Sequence, residues 1–176
     1  MAVTWNTENA AHLLRRAGFA GSQAEVADLV KRGLEGSVDY LLNYESIDNS
    51  ALENQLKSEF RFDPTELKSF SPSEVERFFI FRMTFTKRPL EEKMTFFWHD
   101  HFATGLSKVK DYFMYYQNLT LRKFALAKFD DLVLNVAKDP GMIIWLDNID
   151  NVRGKPNENF ARELMELHGD AVEIDI

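Results

Sequence analysis

Ser71-Pro72-Ser73-Glu74 is the stretch that decides the fold. A serine able to accept from free backbone N–H groups, a proline at the first helical position and a glutamate at the third are three separate helix-start signals within four residues. Asp63-Pro64-Thr65-Glu66, just upstream, uses the same device. Outward from these, helix punctuation continues in both directions. Asn6 or Thr7 can cap a first helix carrying Ala10, Leu13, Leu14 and Ala17, with Gly18 as its stop. Ser22-Gln23-Ala24-Glu25 is a capping box, and its helix, with Val26, Leu29 and Val30 on one face, is expected to end at Gly33. A short segment at 37–43 follows, and Asn49 or Ser50 opens another helix around Leu52 and Leu56.

Downstream, Ser71 begins a Phe-rich helix to about Thr86, and Pro89 begins the next, with Gly105 as its stop. Residues 111–128 form one long amphipathic segment; Asp130 and Asp139-Pro140 start shorter helices. Residues 147–156 are a polar loop, and Asn157 can cap the last helix. No period-2 strand pattern or internal repeat occurs. The expected fold is all-α: a single-domain, irregular bundle of nine or ten helices with short connections. Residues 1–169 form the domain and 170–176 a C-terminal tail.

Composition narrows the function. The 176 residues suffice for one domain, and fifteen phenylalanines imply a core built on large rings. A formal charge of −7 argues against nucleic-acid binding, which needs a basic footprint. Absence of cysteine excludes disulfides and thiolate catalysis. The apolar runs at 78–81 and 141–146 are far short of the ~20 residues that cross a bilayer. The chain as written opens without a basic segment followed by an apolar one, so it reads as lacking a signal peptide and as cytoplasmic.

Chemistry concentrates in two places. Phe96-Phe97-Trp98-His99-Asp100-His101-Phe102 sets four rings around two imidazoles. On a helix His99 and His101 are about 200° apart, so they do not readily clamp one ion. His101 then shares the stripe of Leu90, Met94, Phe97 and Trp98, while His99 lies beside Glu92, Thr95 and Phe96. In the last helix Asn159, Arg162, Glu163 and Glu166 fall at i, i+3, i+4 and i+7, one polar face opposite Phe160, Leu164 and Leu167. Taken alone, this face is also what a solvated surface with an Arg162–Glu166 pair looks like.

Three blocks carry a family resemblance: Ala10-Ala11-His12-Leu13-Leu14-Arg15-Arg16-Ala17-Gly18-Phe19 with the helix over 25–36 after it; Phe97-Trp98-His99-Asp100-His101-Phe102; and Asp139-Pro140 through Asp147, continued by Pro156-Asn157-Glu158-Asn159-Phe160-Ala161-Arg162-Glu163-Leu164-Met165-Glu166-Leu167. In these the chain resembles the N-terminal part of the bacterial family known as domain of unknown function 1800. The resemblance implies a mostly helical bacterial protein whose relatives are longer and often exported; it implies no particular activity. The chain departs from the pattern after Leu167, where relatives continue into a large C-terminal half.

The working expectation is a hydrolase-like site where the 98–102 segment meets the 157–168 helix. In one version His99, His101, Glu163 and Glu166 hold a divalent metal with a position left for water. In the other, Glu163, Glu166 and His101 act as acid and base, with Arg162 lowering one carboxylate, on a saccharide or other small molecule held by Asn159, Glu158 and Trp98. The alternative is a non-catalytic helical structural or interaction module in which Arg162, Glu163, Glu166 and His101 form a buried polar network fixing helix register. A third role is assembly: self-association, or docking of a missing C-terminal half, through Phe78, Phe79, Phe81 and Phe85. His12 and Trp145 read as structural. Asp147, Asn148 and Asp150 supply oxygen ligands without the glycine and terminal glutamate of an EF-hand.

Overall fold

A computed structural model describes residues 4–60, 62 and 70–166. Among these the chain is all-α: nine α-helices, two 3-10 turns and one isolated bridge, Val152 with Lys155. The helix start expected at Asp63 and the tail at 170–176 lie outside the described residues. The contacts define two compact units, one of Met1–Phe62 with Glu76–Met94, the other of Asp63–Val75 with Thr95–Ile176.

In the first unit, α1 (Thr7–Ala17) is capped by Asn6, which accepts from the Asn9 N–H at 3.0 Å. Its Ala10 and Leu14 pack on Val26 and Leu29 of α2 (Gln23–Leu42). The turn between them needs two glycines for close approach. A Cβ on Gly18 would come within 2.9 Å of the Pro89 ring, and one on Gly21 would strike Leu14. The capping box at Ser22 and Glu25 is present. As expected, the first helical stretch breaks at Gly33, at φ 75° and ψ 175°, and a second runs on to Leu42 across this kink; Ser37 bridges it with its hydroxyl 2.8 Å from the Leu29 carbonyl and 2.6 Å from that of Gly33.

Helix α3 (Ser50–Glu59) is capped by Asp48 rather than Asn49: its carboxylate accepts from the Ser50 N–H at 3.0 Å, a bond that holds the carboxyl below its usual range. Asn49 instead accepts from the Lys87 N–H at 3.1 Å, tying the turn before α5 to the start of α3.

Helix α4 (Pro72–Phe85) starts where Ser71 accepts from the Glu74 N–H. Within the first unit its Phe78 is buried against Phe60 and Phe62, with ring centroids 5.5 and 5.6 Å away, and Phe81 also packs on Phe60. Of the four phenylalanines expected to form an aromatic surface, Phe78 is therefore core and Phe85 is exposed. Arg82 of α4 and Glu92 of α5 (Pro89–Phe102) form a buried ion pair, joined at its edge by the half-exposed Glu53 of α3.

In the second unit, Phe102, Leu121, Leu132, Val136 and Met142 make the core, contributed by α5, α6 (Asp111–Lys123), α7 (Phe129–Val136) and α8 (Pro140–Trp145). Trp98, Phe129, Trp145 and, from α9 (Asn159–Glu166), Phe160 pack around it. The segment expected to run helically to 128 stops at Lys123. Just beyond, the Ala125 carbonyl accepts from the Trp98 indole N–H at 2.9 Å.

A buried polar chain crosses this core. The Thr104 hydroxyl donates to Gln117 Oε1, Gln117 Nε2 donates to Asp139 Oδ1 at 3.0 Å, and the same oxygen caps α8 through the Met142 N–H at 3.1 Å. Burial raises the Asp139 pKa above the ordinary carboxylate value, and hydrogen bonds from Met142, Gln117 and Gly141 only partly offset that. A Cβ on Gly141 would lie 2.9 Å from this carboxylate, so glycine is required there.

Candidate functional site

The polar residues around α9 begin as a loop closure. Asp147 adopts a left-handed conformation, φ 59°, after α8, and Lys108 Nζ meets both its carboxylate and the Trp145 carbonyl at 2.7 Å. The Asp147 carboxylate is thus engaged by a cation of this chain. Asn148–Asp150 forms a 3-10 turn, and Gly154, at φ 87°, turns the bridge between Val152 and Lys155. The chain then returns. The Asn157 N–H donates to Asn151 Oδ1 at 2.8 Å, and Asn157 Oδ1 accepts from the Asn159 N–H at 2.9 Å, capping α9 as expected. Both amide side chains donate to one carbonyl, that of Leu146: Asn157 Nδ2 at 2.8 Å and Asn159 Nδ2 at 3.3 Å.

That clasp sets the polar face. Asn159 Oδ1 accepts from Arg162 Nη2 at 3.3 Å, and the same guanidinium nitrogen lies 3.6 Å from Glu163 Oε1. Arg162 is 55% exposed and Glu163 21%. Glu158 is exposed, and its carbonyl accepts the Arg162 N–H within the helix. The Glu166 side chain lies outside the described residues. The structure therefore brings together Asn159, Arg162 and Glu163. Among the described side chains the guanidinium pairs with Glu163; the Glu166 partner expected from i,i+4 spacing lies outside them.

The aromatic stretch is an organised wall. Trp98 is bonded to Ala125 and stacks near Phe129 at 5.7 Å. The His101 imidazole lies parallel to the Phe97 ring at 5.9 Å and edge-on to Trp98 and Phe102 at 5.6 and 5.3 Å, the stripe predicted for it. His99 falls on the side of α5 that carries the buried Glu92 and Thr95. Both imidazoles are pushed below their ordinary pKa by burial, against a smaller opposing effect of the Asp100 charge. Both are therefore neutral bases near neutral pH. Among the described residues no group of three or more His, Asp or Glu side chains is placed to hold a metal ion. Trp98 and Phe160 pack against the same buried cluster, so the aromatic stretch and α9 share one core.

A family model described as a protein of unknown function, DUF1800, matches residues 12–169. The chain belongs to the DUF1800 family. Neither the curated proteins nor the solved structures compared with it include a match.

The sequence singled out Asn157, Asn159 and Asp139 but not their partners here: the Leu146 carbonyl of the clasp, and Thr104 and Gln117 of the buried chain. Asparagine at 148, 151, 157 and 159 was the available signal for the first. Asp139 was visible only as a helix start, because its partner Gln117 is 22 residues away. Two clefts in the first unit, of about 510 and 340 Å³, share Glu25 and Pro89 in their walls, and none of their lining residues belongs to the expected site.

Proposed function

We propose that this DUF1800 chain is a non-catalytic helical module whose family-signature segments build a rigid surface for a partner. The observation that carries the reading is the clasp: Asn157 and Asn159 both direct their amides to the Leu146 carbonyl. Asn159, expected to bind substrate, is thereby engaged with the chain's own backbone, and it accepts from Arg162, which also lies beside Glu163. Polar arrays that are satisfied within the chain commonly fix register and position.

A second reading, metal-assisted or acid–base hydrolysis, is favoured by one observation. His99 and His101 are held neutral by burial, the form a general base requires.

The deciding experiment compares Glu163→Gln and Asn159→Ala with the parent protein in two assays: thermal unfolding, and hydrolysis of chromogenic esters and glycosides with and without added Zn²⁺, Mn²⁺ or Ca²⁺. The module reading expects Asn159→Ala to lower Tm and no variant to alter a hydrolytic rate. Turnover abolished by Glu163→Gln at unchanged Tm overturns it in favour of the hydrolase.

A further inference from the structure

Helix α2 offers a face that the first unit's core does not use. Beyond the Gly33 kink, Ser37 and Leu41 are buried, whereas Leu34, Val38 and Leu42 are 39%, 37% and 59% exposed. They recur at i, i+4 and i+8, which aligns them in one stripe about 12 Å long. The kink, held by the Ser37 hydroxyl, sets the direction of this second half of α2. Isolated exposed leucines are ordinary on protein surfaces, but three in helical register form a seam.

Charge says what fits it. Glu35 and Asp39 are exposed and each lies one residue on from a stripe residue, about 100° round the helix. From Gly33 to Leu56 the sequence holds five carboxylates (Glu35, Asp39, Glu45, Asp48, Glu53) and no lysine or arginine. Two nearby arginines are directed elsewhere: Arg32 to Asp28 at 2.6 Å and to the Tyr40 ring, Arg88 to the Ile47 and Glu45 carbonyls. A second copy is a poor occupant. Two-fold antiparallel pairing of this stripe sets the Glu35–Asp39 flank against itself, and like charges so placed repel.

We infer that the Leu34–Val38–Leu42 stripe with its Glu35–Asp39 flank is a docking site for a basic amphipathic helix. The partner presents apolar residues at helical spacing to the stripe and lysine or arginine to the flank. This inference rests on the module reading, for which it supplies the partner class.

The test uses the full chain and two labelled helical peptides of identical apolar spacing, one Leu/Lys and one Leu/Glu, read by fluorescence anisotropy at physiological salt. Saturable binding of the Leu/Lys peptide is expected, weakened about tenfold or more, about 1.4 kcal/mol, by Val38→Asp. The Glu35→Lys/Asp39→Lys variant is expected to lose that peptide and gain the Leu/Glu one. Leu42→Gln, at the most exposed stripe position, serves as second variant, and circular dichroism verifies folding of each. The inference is overturned by absence of binding, by equal binding of both peptides, by binding that survives Val38→Asp and Leu42→Gln in folded protein, or by a dimer in light scattering that Val38→Asp dissociates. None of these outcomes touches the Asn157–Asn159 clasp, so a failure here leaves the module reading to its own test.

Discussion

Arg82 and Arg162 carry the same guanidinium, and each meets a neighbouring carboxylate, yet they do different physical work. Arg82 is 6% exposed, grips Glu53 through two nitrogens at 2.7 and 3.2 Å, and reaches Glu92, 2% exposed, at 3.0 Å. Burial alone would lower its pKa, but the Glu53 hydrogen bonds and the charges of Glu92 and Glu53 raise it instead. Arg162 lies on a solvated face, 3.6 Å from Glu163. Density of charged residues along the sequence drew attention to Arg162; burial assigns the greater energetic consequence to Arg82.

The largest expected effect follows from that contrast. Arg82→Met takes the guanidinium away from the buried Glu92 carboxylate and should cost about 3–5 kcal/mol in urea unfolding, whereas removing both partners together should cost much less. A double-mutant cycle showing simple additivity would break the contrast, since coupled buried groups are non-additive.

Next in size is Asp139. Asp139→Ala removes the α8 cap and leaves the Gln117 amide and Met142 N–H without their acceptor, at about 1–3 kcal/mol. Asp139→Asn keeps an acceptor oxygen while removing a desolvated charge, so it should be close to neutral at pH 7. The sign follows from the raised pKa: the native state favours the protonated acid, so the stability this group contributes is complete below its ordinary titration range and is lost as pH rises through the raised native value. Relative to the Asn variant, the parent should therefore weaken on going from acid toward neutrality.

The imidazoles titrate in the opposite sense. Burial lowers both, so the native state binds fewer protons than the unfolded chain, and stability should fall as pH drops below ~6.5. His99→Gln/His101→Gln should flatten that limb of the Tm–pH curve. The smallest effect belongs to Arg162→Ala, within about 0.5 kcal/mol, as for other exposed ion pairs.

Local signals were legible and long-range ones were not. Asn6, Ser22, Ser71 and Asp139 act within three residues of themselves, so their helix starts could be read directly. Gly33 was readable as a stop, and the backbone does leave the helix there, but the Ser37 bridge to Leu29 that ties the two stretches spans eight residues and was not. The Trp98–Ala125 bond just beyond α6 spans 27 residues and the Arg82–Glu53 pair 29; neither leaves a periodic trace. At the candidate site, the helical spacing of Asn159, Arg162 and Glu163 was readable, but the Leu146 carbonyl that anchors Asn159 belongs to the far side of a loop.

The clasp is the central claim, and native-state hydrogen exchange on Asn157→Ala/Asn159→Ala tests it most directly. Loss of the two amides should unprotect the α9 backbone N–H groups selectively, while α6 and α7 keep their protection and Tm falls modestly. Unchanged α9 protection in that variant, with the protein folded, would contradict the account, because α9 would then be held without the residues said to hold it.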